Sequence, residues 1–384
     1  MHSILISLKL AFKNLRSNLA RTLLSLLGIV IGVASVILVL SFGTGVKNYV
    51  TSQVTTFGSD IIAIEVKVPK VSKTSEANAT GQAGGTVITT YKLEDAEKVA
   101  KLDNLGPWYA LQLTQAQSTY EEKRKQAMLL GVTAGVTEAD QQTQIVDGRM
   151  FTDEEDKSLA QVAVLGSAIK DYYFGESEAV GKNIKINGKT FKVIGTLKSR
   201  GTVMGMMNFD DFIYLPIETL QKKIMGIDYI QEAIYKIKDM NKLDLTIAQA
   251  EDKMRELHDI DKPEDDDFAV SSIIEFLEIL DKVFFALNAL LLALTSISLI
   301  VGGVGIMNVM YVAVTERTFE IGLKKSVGAK NGYILGQFLF EAIFLTILGG
   351  IIGIIFGALI TKAGELIAAG LGYKMDLSIT WWAV

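Results

Sequence analysis

An α-helical membrane protein with a large α+β extracytoplasmic domain is the fold class predicted by two features. The first is three long uncharged or nearly uncharged runs, 22–46, 283–315 and 331–361. Each exceeds the ~20 apolar residues that a helix needs to cross a bilayer core. The second is the stretch between the first two, 47–282, which is charged and patterned like a folded aqueous domain. Mean hydropathy of +0.31 agrees with such a mixture, too high for a soluble chain and too low for one wholly in lipid. The expected architecture is three complete spans plus the start of a fourth.

Composition narrows the chemistry. A net charge of -5 leaves no nucleic-acid footprint, and the absence of cysteine removes disulfides and thiolate sites. His2 and His258, the two histidines, lie far apart, which argues against a His-based metal or catalytic site.

Residues 1–21 read as a basic amphipathic helix in the interface of the cytoplasmic leaflet. Ile4, Leu8 and Phe12 make one face and Lys9, Lys13 and Arg16 the other, a pattern suited to anionic lipid. No small-residue cleavage site follows, so a removed leader is disfavoured. The span at 22–46 is preceded by four Lys/Arg and no acid. The positive-inside rule therefore places the N-terminus in the cytoplasm, with an exit at Gly43-Thr44-Gly45.

In 47–282, Ile61 to Val68 is β-rich and Pro69 to Thr90 is a Ser/Thr/Gly/Ala loop. Leu93 to Leu102 is helical, and Trp108 to Ser118 is a strand. Much later come strand Ala233 to Ile237, helix Leu243 to Leu257 and strand Phe268 to Ser271. The order β-α-β, insert, β-α-β is that of a split ferredoxin-like layer. The insert, about 119–231, is β-dominated. Its hairpin at Ile184–Ile194 turns on Asn187-Gly188, a dipeptide that tolerates the positive φ of a type I′ turn. Val162 to Leu165 and Phe212 to Leu215 add short strands.

Ser272 and Glu275 fit a capping box. A helix from there runs unbroken to about Val314, ~63 Å at 1.5 Å per residue, twice the thickness of the hydrocarbon. The excess forms an outer stalk. The segment 316–330 then returns to the cytoplasm, its cations Arg317, Lys324, Lys325 and Lys330 agreeing with the positive-inside rule. Within it, Phe319, Ile321, Leu323 and Val327 interleave with Glu316, Arg317, Thr318, Glu320, Gly322 and Lys324. A solvated linker would carry less apolar surface. A short amphipathic helix pressed into a partner's groove accounts for both sets, with Glu320 and Lys324 spaced for an i,i+4 pair.

The third span contains one charge, Glu341, ~15 Å along its helix from Asn331. It either faces protein or water at depth, or lies near the interface; both readings stay open. Gly302, Gly303 and Gly305, and the spaced Gly349, Gly353 and Gly357, are small faces for close helix approach. After an outer loop at 362–376, residues 377–384 read as the beginning of a fourth span.

Two motifs take bland readings. Gly175 to Asn183 has one residue too many between its glycines for a P-loop, and Asn where Ser or Thr must meet Mg²⁺. It is expected to be a turn, so the chain itself has no cofactor site and ATP must be bound by a partner. The acidic run Asp259 to Asp267 lacks the glycine and ligand alternation of a calcium loop and reads as a solvated turn.

The stretch Val314 to Ala329 resembles the cytoplasmic loop of MacB-like, FtsX-superfamily permeases of type VII ABC transporters. Gly302-Gly303-Val304-Gly305-Ile306-Met307-Asn308 and Gln337 to Ala342 on its two sides are similar to the same family, as are Asn14 to Asn18 and Gly28 to Gly32. In the outer domain Gly148 to Phe151, Ala163 to Gly166, Tyr173 to Gly175 and Val180 to Lys182 resemble the MacB periplasmic domain. The resemblance implies an outer domain with porter and sabre subdomains, and a dimer (of identical or related permeases) with four spans per chain. It also implies a separate ABC ATPase, which binds ATP and Mg and docks on 316–324. The fused N-terminal ATPase of some members is absent from this sequence.

The function expected is a non-catalytic permease subunit that transmits ATP-driven motion to its outer domain. It would serve export or extraction of an envelope substrate: an antibiotic, peptide, lipoprotein or lipid. An extracytoplasmic adaptor and membrane lipid are further expected partners. The alternative is an FtsX-like regulator of a cell-wall hydrolase.

Overall fold

A computed structural model of the chain describes residues 19–55, 58–70, 88–203, 207–371, 373 and 375–377. Residues 1–18 of the basic amphipathic helix expected at 1–21, most of the loop at 69–90 and the expected fourth span beyond Leu377 lie outside the described residues, and 19–21 belong to the first long helix. Two compact units emerge, one comprising 1–51 and 279–384, the other 52–278.

The second unit is built on a ten-stranded sheet. Its strands are β1 (Ile61–Val66), β2 (Leu105–Tyr120), β3 (Lys123–Val132), β4 (Ile145–Gly148) and β5 (Val162–Leu165). They continue as β6 (Asn183–Ile186), β7 (Lys189–Leu197), β8 (Phe212–Pro216), β9 (Glu232–Ile237) and β10 (Phe268–Ser272). At one end the order β10-β1-β9-β2, antiparallel throughout, is the ferredoxin-like arrangement expected from the β-α-β halves. Alternation sends Ile62, Ile64, Ala110, Ala233 and Tyr235 to one face. There they pack on helices α2 (Leu93–Val99) and α4 (Leu243–His258) through Ala96, Val99, Ala250 and Met254.

The insert differs from expectation at its start. Residue 119 is not a boundary, because β2 is one strand of 16 residues that runs from the layer into the insert. It pairs with β3, and the path continues β3-β8-β5-β7. β6 then bridges β7 back to β2, with Ser118 opposite Ile186, so β2-β3-β8-β5-β7-β6 closes into a six-stranded barrel. Ile184, Ile186, Phe191 and Leu165 fill it, capped by Ile169 and Tyr173 of α3 (Ser167–Phe174). Closure removes edges that would otherwise present unpaired backbone groups. The hairpin turn has φ of 47° at Asn187 and 80° at Gly188, the left-handed pair that a type I′ turn requires. Gly175 to Lys182 is the connection between α3 and β6, a turn as the sequence predicted.

The acidic run 259–267 is the solvated turn expected only as far as Asp265. Asp259 ends α4 in the left-handed conformation, while Asp266 and Asp267 are buried. Asp266 receives Arg255 at 2.9 Å, and Asp267 meets His258 Nδ1 at 2.8 Å. Burial alone would lower the His258 pKa, but the Asp267 contact and the nearby Asp95 outweigh it and raise it. These charges face inward because each has a partner at the base of α4, a pairing that no local spacing reveals.

Asp156 is the most exposed to a test by pH. Only 5% accessible, it accepts the Glu218 N–H at 2.8 Å. Burial pushes its carboxyl up to about 7, against the lowering effect of that amide. The folded chain therefore binds a proton that the unfolded chain releases between ~4 and about 7. Stability from this site is present at low pH and lost as pH rises through that window. Asp156→Asn keeps the acceptor and removes the charge. Its melting advantage over the wild type should grow by about 1–2 kcal/mol from about pH 5 to about pH 8. A constant difference in melts followed by fluorescence would show that this carboxylate is not desolvated.

In the first unit, three helices are long and apolar enough to cross a membrane. They are α1 (Leu19–Thr55), α5 (Ile273–Glu316) and α7 (Asn331–Gly370). Two of these helices run past the ends expected of the spans. α1 passes straight through Gly43-Thr44-Gly45, where Thr44 Oγ1 donates to Leu40 O at 2.7 Å. α7 runs nine residues past Thr361, into the stretch 362–376 expected as an outer loop, and its Lys362 pairs with Glu365 at 2.8 Å. Glycine within an apolar helix is not a terminator when neighbouring helices fill the space beside it. Ser272 Oγ accepts from Glu275 N at 3.0 Å, so the expected cap is present, and α5 is continuous for 44 residues, ~66 Å.

Candidate functional site at the hairpin tip

Between α5 and α7 lies α6 (Thr318–Ser326), the short helix that the interleaved pattern predicted. The bend before it falls at Arg317, and Thr318 Oγ1 donates back to Thr315 O at 2.7 Å. Its end is set by Gly328, at φ 94°, with the Ala329 N–H bonded to Lys324 O at 3.0 Å. A left-handed residue just past a helix closes its last carbonyls in this way, and glycine adopts that conformation without strain.

Two polar ties fasten the tip to α7. Arg317 Nη1 lies 3.6 Å from Glu341 Oε2, both side chains mostly shielded, and Lys324 Nζ donates to Gln337 Oε1 at 3.0 Å. Glu341 thus faces protein, with a cation supplied from the other arm of the hairpin. Lys324 takes Gln337 rather than Glu320, the i,i+4 partner that spacing offered. Gln337 lies one helical turn from Glu341 on the same face of α7, so both ties descend one side.

An apolar stripe faces outward beside the polar residues. Phe319 is 85% exposed, Leu323 60% and Val327 84%. Spaced by four, they share one stripe of the helix. Glu316, Thr318, Glu320, Gly322 and Lys324 are also exposed, while Arg317 and Ile321 are half-buried. The expected docking residues therefore lie together on α6 and the bend before it, with Glu316 closing α5.

The glycine faces divide. A Cβ on Gly302 would stand 3.0 Å from the backbone of Gly28, and one on Gly28 only 2.9 Å from Gly302 Cα. Cβ atoms on Gly349, Gly353 and Gly357 would meet Ile29, Val33 and Ala34 at 3.1, 2.8 and 3.2 Å. These four positions, Gly302 on α5 and three on α7, seat α1 between the other two helices. Gly303 and Gly305 have no atom within 4 Å of the Cβ site and do not take part in this packing. Sequence reading missed Gly364 against Phe42 and Gly43 against Asn288. It also missed the Arg317–Glu341 tie, whose one sequence trace is opposite charge on the two arms of a hairpin.

Residues 22–253 match the family described as MacB-like periplasmic core domain, and residues 292–384 the FtsX-like permease C-terminal family. The macrolide export ATP-binding/permease protein MacB of Wolinella succinogenes is 32% identical over 378 residues, 98% of this chain and 56% of that protein. Its counterpart in Chlorobaculum tepidum is 34% identical over 370 residues, covering 96% and 55%. The chain spans about half the length of the curated relatives it matches. The solved periplasmic region of MacB from Actinobacillus actinomycetemcomitans is 18% identical, with 59% of this chain and 95% of that one covered, at a TM-score of 0.49.

Proposed function

The chain belongs to the MacB-like family of FtsX-type permeases, a multi-pass membrane protein, and on that premise we propose that it is the membrane subunit of an ABC exporter. A separate ATPase binds ATP and Mg and seats on α6. Its closure moves the tip, and α5, continuous from the tip to residue 273, carries the motion toward the unit formed by 52–278. The work done there is export or extraction of an envelope substrate. The relatives' names point to macrolides as one cargo class. Dimerisation, with a second copy or a related permease, is part of the same proposal.

One observation carries this reading: the outward Phe319, Leu323 and Val327 stripe on a helix tied to α7 by two polar contacts. An apolar stripe held rigidly outward in water is costly unless a groove covers it. Its coverage is tested by co-purifying the chain with candidate ATPase subunits and measuring stimulation of ATP hydrolysis.

The orientation follows from charge. Arg317, Lys324, Lys325 and Lys330 at the tip favour the cytoplasm, which places 52–278 outside. A reporter inserted at Asn187, in the hairpin between β6 and β7, should be active only if it requires the extracytoplasmic side. Activity of a cytoplasm-dependent reporter there would invert the proposed topology and remove the ATPase from the tip.

A further inference from the structure

The ferredoxin-like sheet has a second face, opposite α2 and α4. Against it lies a cavity of about 290 Å³, at the small end of ligand pockets, which run from roughly 300 to 1,000 Å³. Ala63, Leu111 and Ile234 form its floor on β1, β2 and β9. Leu130, Phe212 and Tyr214 close it from β3 and β8. The walls are thus mainly hydrocarbon and aromatic ring.

Two carboxylates and one guanidinium interrupt them, and one of the carboxylates has no partner among the described residues. Glu232 on β9 lines the cavity directly beside Leu111 and, across the other ladder, directly opposite Glu65 of β1. Two acids facing one another on adjacent strands repel. Among the described residues the Glu232 side chain makes no hydrogen bond or ion pair. Burial, with the Glu65 charge added, pushes it up to about 7. The other charged pair lining the cavity neutralises itself. Arg200 lies 2.7 Å from Asp140, both almost fully buried, and stacks on the Phe209 ring at 4.3 Å. Tyr109 and Tyr214 stay protonated, since burial raises both hydroxyls. The cavity therefore presents apolar walls with one unpaired carboxyl, ionised above about pH 7.

We propose that this cavity binds an amphiphilic organic monocation, its ammonium at Glu232 and its compact apolar body between the sheet face and Phe212 and Tyr214. An anion would meet the Glu65–Glu232 pair, and a neutral amphiphile would gain the walls without the charge. A hard divalent cation needs six or more oxygen ligands, which walls of Leu, Ile and Phe do not offer. The inference goes beyond the coupling role and does not rest on it, because occupancy is read without any ATPase.

The test uses the full chain in lipid nanodiscs and isothermal titration calorimetry, with heats from empty nanodiscs subtracted. The ligands are 4-phenylbutyl-trimethylammonium, 4-phenylbutanol and 5-phenylpentanoate. The cation carries a permanent charge, so any titration belongs to the protein. At about pH 8 the cation should bind, the alcohol more weakly and the carboxylate not at all. Glu232→Gln should weaken the cation about tenfold and leave the alcohol unchanged. Lowering the pH to about 6 should weaken the cation about tenfold in the wild type, by neutralising Glu232, and have no such effect in Glu232→Gln. Ala63→Phe, which fills the floor, should abolish binding of both cation and alcohol, and Leu113→Phe repeats that test at a second lining residue. No cation heat above empty nanodiscs, equal binding of cation and carboxylate, or cation affinity unchanged by Glu232→Gln or by both filling variants overturns the proposal.

Discussion

Phe319→Asp should abolish retention of the ATPase. The ring is the most exposed large apolar group of α6, and no described residue covers it. In a protein groove a buried aromatic anchor typically accounts for 2 kcal/mol or more, so its loss weakens binding by at least about 30-fold. Burying an aspartate in the same groove adds a desolvation cost. The variant should insert and fold as before, since the Arg317–Glu341 and Lys324–Gln337 ties are untouched. Glu320→Lys provides a second test. Glu320 is exposed and its neighbour Lys324 is engaged with Gln337, so the reversal acts on the partner and not on the hairpin. Arg317→Glu is less informative because it also places two carboxylates together at Glu341. If Phe319→Asp and Glu320→Lys both retained wild-type ATPase binding in pull-downs and full stimulation of hydrolysis, α6 would be a plain linker.

What the sequence made legible was local or periodic. The spans are long apolar runs, the hairpin at Asn187-Gly188 needs two left-handed residues, and Ser272 caps the helix that it precedes. The ferredoxin-like layer followed from the order of its elements. The barrel did not, because its closure depends on Ser118 meeting Ile186, 68 positions away, in a register no neighbour specifies. For the same reason Asp266 and Asp267 read as solvated, although their partners Arg255 and His258 lie just upstream on a helix that points them inward. The ends of α1 and α7 were misplaced because Gly43-Thr44-Gly45 weakens a helix in water and the charges Lys362 and Glu365 mark the end of the apolar run rather than the end of the helix. Beside packed helices the glycines instead become seats for Asn288 and Phe42. At the tip, composition identified the segment, and only the fold shows which residues are ties and which face outward.

Among the glycines of α5, position decides the consequence of substitution. Gly302→Leu should be severely destabilising and Gly303→Leu nearly neutral, although the two are adjacent and identical. In Gly302 the Cβ would meet Gly28 carbonyl carbon at 3.0 Å and oxygen at 3.2 Å. Backbone cannot rotate aside as a side chain does, so α1 and α5 must separate along their contact. Helix association in lipid rests mainly on close van der Waals fit, with no gain from excluding water. Overpacking typically costs 1–3 kcal/mol, and a leucine against backbone belongs at about 3. The loss should appear as a lower melting temperature of the purified full chain, with reduced yield of monodisperse protein. Gly303 has open space at its Cβ site, and Gly303→Leu should stay within about 0.5 kcal/mol. Gly28→Leu should reproduce the Gly302 defect from the opposite helix. If Gly302→Leu and Gly303→Leu melted alike, α1 would not be seated on α5 through this contact, and the tip would lose the fixed base from which it is proposed to move.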